Sequence, residues 1–243
     1  MNKKDLIKEV NILSNNDNEE DAERLLESYL EKNPNDIDML MRHAVFVLYP
    51  PIYNETKSIN SLTKILQIDP DNIDAILFLA CITHYDFPDI RDEAKILEML
   101  SSIKTNDTEK LSMIELAKSW MYCSIEEDNY IKLNGNLDDF YKTPENYIQY
   151  ESALKKSIEF YPYHVLNYKH LAHLYNTCNR KRESIELLKT AIKNVATICQ
   201  KNNCDERDWT SIQEYFDELV KGTPPSDSLY ESLGEYLVEY SKP

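Results

Sequence analysis

His170 and His173 stand three residues apart in "YKHLAHLY", a spacing that sets two imidazoles on one helix face within reach of one metal ion. A metal site needs further ligands, and the nearest, Cys178, falls a helical turn or more away. The pair is therefore expected to make polar contacts rather than to hold a metal, and His43, His84 and His164 are too scattered to extend it. Carboxylate pairs recur, as in "IEEDN" and "NLDDF", but in an acidic helical chain such pairs are ordinarily solvated turns. The chain has no G-x-S-x-G, H-E-x-x-H or cysteine-protease signature. Its three glycines, Gly135, Gly222 and Gly234, open no phosphate-cradling loop. The expectation is a protein without enzymatic activity and without a cofactor or metal.

Cys81, Cys123, Cys178, Cys199 and Cys204 form no CxxC. Four lie in or beside apolar helical patterns and read as small buried side chains of a reducing compartment; Cys199 and Cys204 could bridge only in an oxidising one. The start has no apolar run long enough for a signal peptide, and no stretch approaches the ~20 apolar residues of a membrane span. A cytoplasmic location is the expectation. The formal net charge of −16 disfavours a nucleic-acid backbone or an anionic membrane as ligand. The cluster Arg180, Lys181, Arg182 is too short to reverse that. An acidic surface serves solubility, or a basic protein partner.

The elements that carry these residues are helical. Stripes with one small residue among large ones occur at Leu40, His43, Ala44, Val47; at Ile76, Leu79, Ala80, Thr83; at Met113, Leu116, Ala117, Trp120; and at Tyr168, Leu171, Ala172, Tyr175. A weaker one uses Leu6, Val10 and Leu13. The small positions Val10, Ala44, Ala80, Ala117 and Ala172 are separated by 34, 36, 37 and 55 residues. Second helices follow, with small residues at Ala22, Ser58, Ala94 and Ser184 and a less regular copy near Tyr150 to Ala153. Pro34, Pro70 and Pro162 close three of them, and the Asp or Asn beyond can cap the next helix. A small residue lets two helices approach closely, and a helix pair of this length buries its apolar face only by stacking on further copies.

This pattern resembles the tetratricopeptide repeat family over about residues 3 to 200. The best copy places Tyr168, Leu171, Ala172, Tyr175, Ser184, Leu188 and Ala191 on consensus positions. Alanine stands here where the family favours glycine, and His43 takes an apolar position. The resemblance implies an all-α, TPR-like α-solenoid, a superhelix of about five antiparallel helix pairs over residues 1–204. An insertion at about 127–144, read as a loop or extra short helix, accounts for the long step. Residues 205–243 carry apolar stripes at Trp209, Ile212, Phe216, Leu219 and at Leu229, Leu233, Leu237, Tyr240, which suit C-terminal capping helices of the same domain or a docking element.

The resemblance also implies a concave, partner-binding face lined by first helices. It takes Asp38, Met41, Arg42 and Tyr49 from the second copy and Asp74, Leu77, Phe78 and Tyr85 from the third. It takes Ile114, Glu115, Lys118 and Tyr122 from the fourth, and Lys169, His170 and His173 from the last. Exposed Leu77, Phe78, Tyr85, Ile114 and Tyr122 would form an apolar, aromatic groove, unless the insertion or the C-terminal helices fill it. The Lys and Asn pairs by which some relatives clamp acidic chaperone tails are absent, their places holding Met41, Val45, Leu77 and Cys81. The function expected is a binding module for a specific basic protein, as in a toxin-neutralising immunity protein or a dedicated chaperone. The alternative is a regulatory adaptor or peptide sensor taking an extended peptide.

Overall fold

A computed structural model describes residues 2–16, 18–48, 52–84 and 92–201. Expectations that fall on residues 205–243, on Tyr49 and on Tyr85 lie outside the described residues. Ten α-helices occur among those described: α1 (Lys3–Asn15), α2 (Glu19–Lys32), α3 (Ile37–Phe46), α4 (Glu55–Ile68), α5 (Ile73–His84), α6 (Glu93–Ser102), α7 (Thr108–Asn134), α8 (Ile148–Phe160), α9 (Val165–Thr177) and α10 (Lys181–Lys201). The chain divides within α5 into two compact units, residues 1–79 and 80–243. No described helix is long and apolar enough to cross a membrane.

Helix boundaries follow from local chemistry. α2, α4 and α8 each end two residues before a proline, at Lys32, Ile68 and Phe160. Two residues beyond Pro34 and Pro70, the side chains of Asp36 and Asn72 accept the backbone N–H of Met39 and Ala75. The same device starts α1 at Asn2, α4 at Asn54, α6 at Asp92 and α7 at Asp107. After Pro162 the cap position holds His164, whose side chain makes no cap bond and is committed elsewhere.

In residues 1–79, Leu6, Val10, Ala22, Leu26 and Met39 form a buried cluster that joins α1, α2 and α3. The weakest of the sequence stripes is thus a core stripe. Ala44 and Ser58, the small residues of α3 and α4, are fully buried. Lys3 adds a polar clasp: its ammonium reaches Asp36 at 3.0 Å and Asp38 at 2.7 Å, while Tyr29 Oη–H donates to Asp36 at 2.9 Å.

In residues 80–243, Ala80, Ala117, Ala172 and Ser184 are fully buried. Ser184 Oγ–H donates to the Ala172 carbonyl at 2.9 Å, so the two small positions of α9 and α10 meet directly. Ala94 departs from the pattern, being exposed in the first turn of α6. The 127–144 stretch is not a loop at its start. α7 runs on to Asn134 and stops at Gly135, whose φ of 84° is the left-handed conformation that lets its N–H bond back to the Ile131 carbonyl. Two 3-10 turns follow, Phe140–Lys142 and Pro144–Tyr147, and they bury Phe140 and Tyr147. Phe140 meets Tyr130 of α7 edge to face at 5.3 Å, so the insertion packs on the helix that precedes it.

Ala172→Leu should overpack the α9–α10 contact and lower stability by about 1–3 kcal/mol. The denaturant midpoint checks this; an unchanged midpoint would mean that the small position has room to spare.

Candidate functional site

The described residues expected on the binding face divide into four sets. Leu77 and Phe78 are fully buried, and Ile114 and Met41 nearly so, which corrects the expectation of an exposed apolar groove at these positions. The reason is packing: α5 is apolar almost all round, with Ala75, Ile76, Ala80, Cys81 and Ile82 buried as well, so it has no broad solvent face on which to display anchors. Asp38 and Arg42 are exposed and half-buried respectively, and neither is a bare charge. Asp38 lies 2.7 Å from Lys3 and 3.6 Å from Arg42. Asp74 is half-buried.

Three expected residues do come together. Glu115, Lys118 and Tyr122, on successive turns of α7, line a cleft of about 420 Å³ with Ile148, Gln149, Ser152, Ala153 and Lys156 of α8. Lys118 donates to Glu115 at 2.7 Å, so the cleft floor is charge-balanced. Its rim carries Ile148, 62 % exposed, a large apolar side chain with no cover. This residue was not legible as a site residue, because nothing in the sequence distinguishes an exposed isoleucine on the first turn of a helix from a buried one. α8 itself starts without a side-chain cap from Tyr147. Its first N–H groups are met instead by Glu126 of α7, whose carboxylate accepts from Gln149 N at 3.1 Å and Tyr150 N at 3.4 Å. Burial raises the Glu126 pKa, against the lowering effect of those two donors.

Lys169, His170 and His173 lie on α9. His173 is exposed and His170 half-buried. Trp120 Nε1–H donates to His170 Nε2 at 3.4 Å, and His84 stacks on Trp120 at 4.6 Å with the rings 6° from parallel. Burial, then the neighbouring His84, His173 and Lys169, push His170 down to about 3. The polar-contact expectation thus holds for His170, with Trp120 as its partner.

Two further arrays escape a reading by order along the chain. Ser112 Oγ lies 3.4 Å from His164 Nδ1, and His164 Nε2 lies 3.4 Å from Glu109, the residue types of a hydrolytic triad. Ser112 is fully buried and accepts the Asn167 side-chain amide at 2.8 Å, so this array ties α7 to α9 and presents no open nucleophile. Arg180, one of the three basic residues of the α9–α10 turn, is not a solvated charge. It stacks on Tyr175 at 4.0 Å and donates to Glu151 at 2.9 Å and to Glu183 at 2.7 and 2.8 Å. Among the thiols, burial pushes Cys81 and Cys123 up to about 12, far from thiolate reactivity.

The elements and their repeats define an all-α protein with a TPR-like helical-repeat fold, of the α-solenoid class. No family model matches the chain, and no curated protein matches it. Two crystal structures of MamA are similar. One has a TM-score of 0.54 and 14 % identity over 79 % of this chain and 96 % of that one. The other has a TM-score of 0.52 and 16 % identity over 82 % and 94 %. At such identity the likeness is one of fold.

Two measurements check these assignments. Phe78→Ala should cost about 3–5 kcal/mol of stability, as expected for a fully buried ring and not for a surface anchor. Acid should destabilise the protein through His170: its folded pKa lies below its unfolded value of 6.5, so the unfolded chain binds the extra proton between about 6.5 and 3. Stability from this group is complete above pH 6.5 and falls, by on the order of 1 kcal/mol per pH unit, as pH drops through that window. His170→Gln, which keeps an acceptor for Trp120, should flatten the acid side of the stability–pH curve measured by urea unfolding.

Proposed function

We propose that this chain is a non-enzymatic protein-binding module of degenerate tetratricopeptide repeats that holds one basic protein partner. The observation that carries the reading is the α7–α8 cleft, where Tyr122 and the uncovered Ile148 flank a floor whose charges are already paired. A cleft of this kind takes one or two side chains of a partner, with the apolar rim as anchor and the polar floor as its register. The cleft is not itself acidic, since Glu115 is matched by Lys118 and Lys156 adds a further cation. The basic character of the partner therefore rests on the net charge of −16, which acts at long range on encounter and not at the anchor. Residues 205–243 serve in this reading as the capping helices of the array. Immunity against a toxin and dedicated chaperoning are the two roles that fit a binder of one basic protein. An adaptor for an extended peptide is the second reading, favoured by the cleft lying along two neighbouring helices.

The test is capture from native lysate followed by binding kinetics with the isolated partner. Wild type should retain one basic protein, and raising salt should slow association at least several-fold. Ile148→Asp and Tyr122→Ala, confirmed as folded by circular dichroism, should speed dissociation about tenfold or more. Salt-independent association would remove the electrostatic part of the reading, and normal dissociation of both variants would remove the cleft. A nuclease-like partner would point to immunity, a secreted effector to chaperoning, and a short peptide to the adaptor reading.

A further inference from the structure

Residues 1–79 hold a cluster of their own, and what it implies is independent of the binding reading. Glu23 and Glu27 are one turn apart on α2 and face His43 of α3 and Lys57 of α4. One oxygen from each carboxylate and a nitrogen of the imidazole all lie within 4.8 Å of one another. The Lys57 ammonium sits between the carboxylates, 2.7 Å from Glu23 and 2.8 Å from Glu27.

The decisive feature is His43. Its side chain is only 7 % exposed. Its Nδ1 is 2.8 Å from Ser61 Oγ, and its Nε2 is buried with no hydrogen-bond partner, pointing to Glu27 Oε1 at 4.0 Å. If Nδ1–H donates to Ser61, the Nε2 lone pair faces a carboxylate, and two acceptors oppose each other with nothing between them. If the proton is on Nε2, 4.0 Å is too long for it to reach Glu27. Either way a buried nitrogen lacks what lies on its axis. A cation on that axis would be bound by imidazole and carboxylates together, with Ser61 orienting the ring from behind.

We propose that Glu23, Glu27 and His43 form a binding site for a divalent transition metal, zinc being the best match to one imidazole and two carboxylates, and that Lys57 is the cation this metal displaces. Zinc takes His nitrogen at about 2.0–2.1 Å and carboxylate oxygen at about 2.0–2.2 Å, so the three ligand atoms must draw closer than they stand now. Glu27 and Lys57 can supply that movement, because their side chains are 41 % and 39 % exposed. Both line the solvent clefts on either side of the cluster, which gives the metal a route in, the ammonium a route out and a water a place in the fourth position. The exchange leaves the site neutral: an ammonium and two carboxylates sum to −1, and zinc with the same carboxylates to zero. Bound zinc would fasten α2 to α3.

The experiment is calorimetric titration of the chelator-treated full chain with zinc chloride, with thermal unfolding in parallel. Wild type should bind zinc in a component that raises the unfolding temperature. That component should be lost in His43→Gln and in Glu27→Gln, and retained in His170→Gln, which controls for the His170–His173 pair of α9. Ser61→Ala should weaken it roughly tenfold or more. Lys57→Gln should tighten it several-fold, because the competing cation is gone; a merely structural ion-pair cluster would instead be left destabilised with no rescue by zinc. Since His43 is buried, its variant could fail to fold, and Glu27→Gln, at a half-exposed position, then decides. Absence of zinc-dependent heat and stabilisation in wild type overturns the proposal, as does a component that survives in Glu27→Gln.

Discussion

Two helices can share a core only as closely as their bulkiest facing residues allow, and in this chain that distance is set by a methyl or hydroxymethyl group. The contact is most direct where α9 meets α10. There the Ser184 hydroxyl reaches the Ala172 carbonyl, so a side chain of one helix touches the backbone of the other. Around such points the large residues fall into place: Tyr168, Leu171 and Leu188 are buried beside the pair. Elsewhere Ala22, Ala44, Ser58, Ala80 and Ala117 are buried to the same degree. Close approach makes the pair a unit, and the apolar faces that remain on each unit are what call for further copies.

Polar side chains then fix which helices meet and at what register. Lys3 joins the start of α1 to the start of α3 through Asp36, and the same aspartate caps α3 and receives Tyr29. Asn167 on α9 and Ser112 on α7 are bonded although 55 residues separate them. Glu126 supplies the cap that α8 lacks in its own sequence. A buried polar group without its partner is costly, so the buried Asn167–Ser112 bond penalises a shifted packing more than it rewards the correct one.

The surface available for function is what this packing leaves over. Aromatic and aliphatic residues that recur at first-helix positions are mostly consumed by the core, Phe78 and Leu77 completely. What remains uncovered is at helix ends and edges: Ile148 at the start of α8, and Ile131 and Leu133 near the end of α7. The lengthened α7 is therefore more than a spacer. Its second half provides Glu126 for α8 and Tyr130 for the insertion.

Local chemistry determined where most of the helices begin and end, since prolines, Asp and Asn caps and the left-handed Gly135 act within a few residues of themselves; the start of α8, capped by Glu126 of α7, is an exception. The recurrence of a small residue, at steps close to one repeat, was enough to show the pairing of helices and the all-α fold. The side of a helix that faces water was not determined in this way. On α5 the apolar residues run almost all round, and no periodicity separates the face toward one neighbour from the face toward another. Ala94 follows the repeat spacing and is still exposed, because a small residue marks a contact only if a second helix arrives there. The meeting of Glu23, Glu27, His43 and Lys57, like that of Ser112, His164 and Asn167, joins residues from three helices or from distant segments. Such proximity arises only when helices pack, and a reading along the chain carries no distance between them.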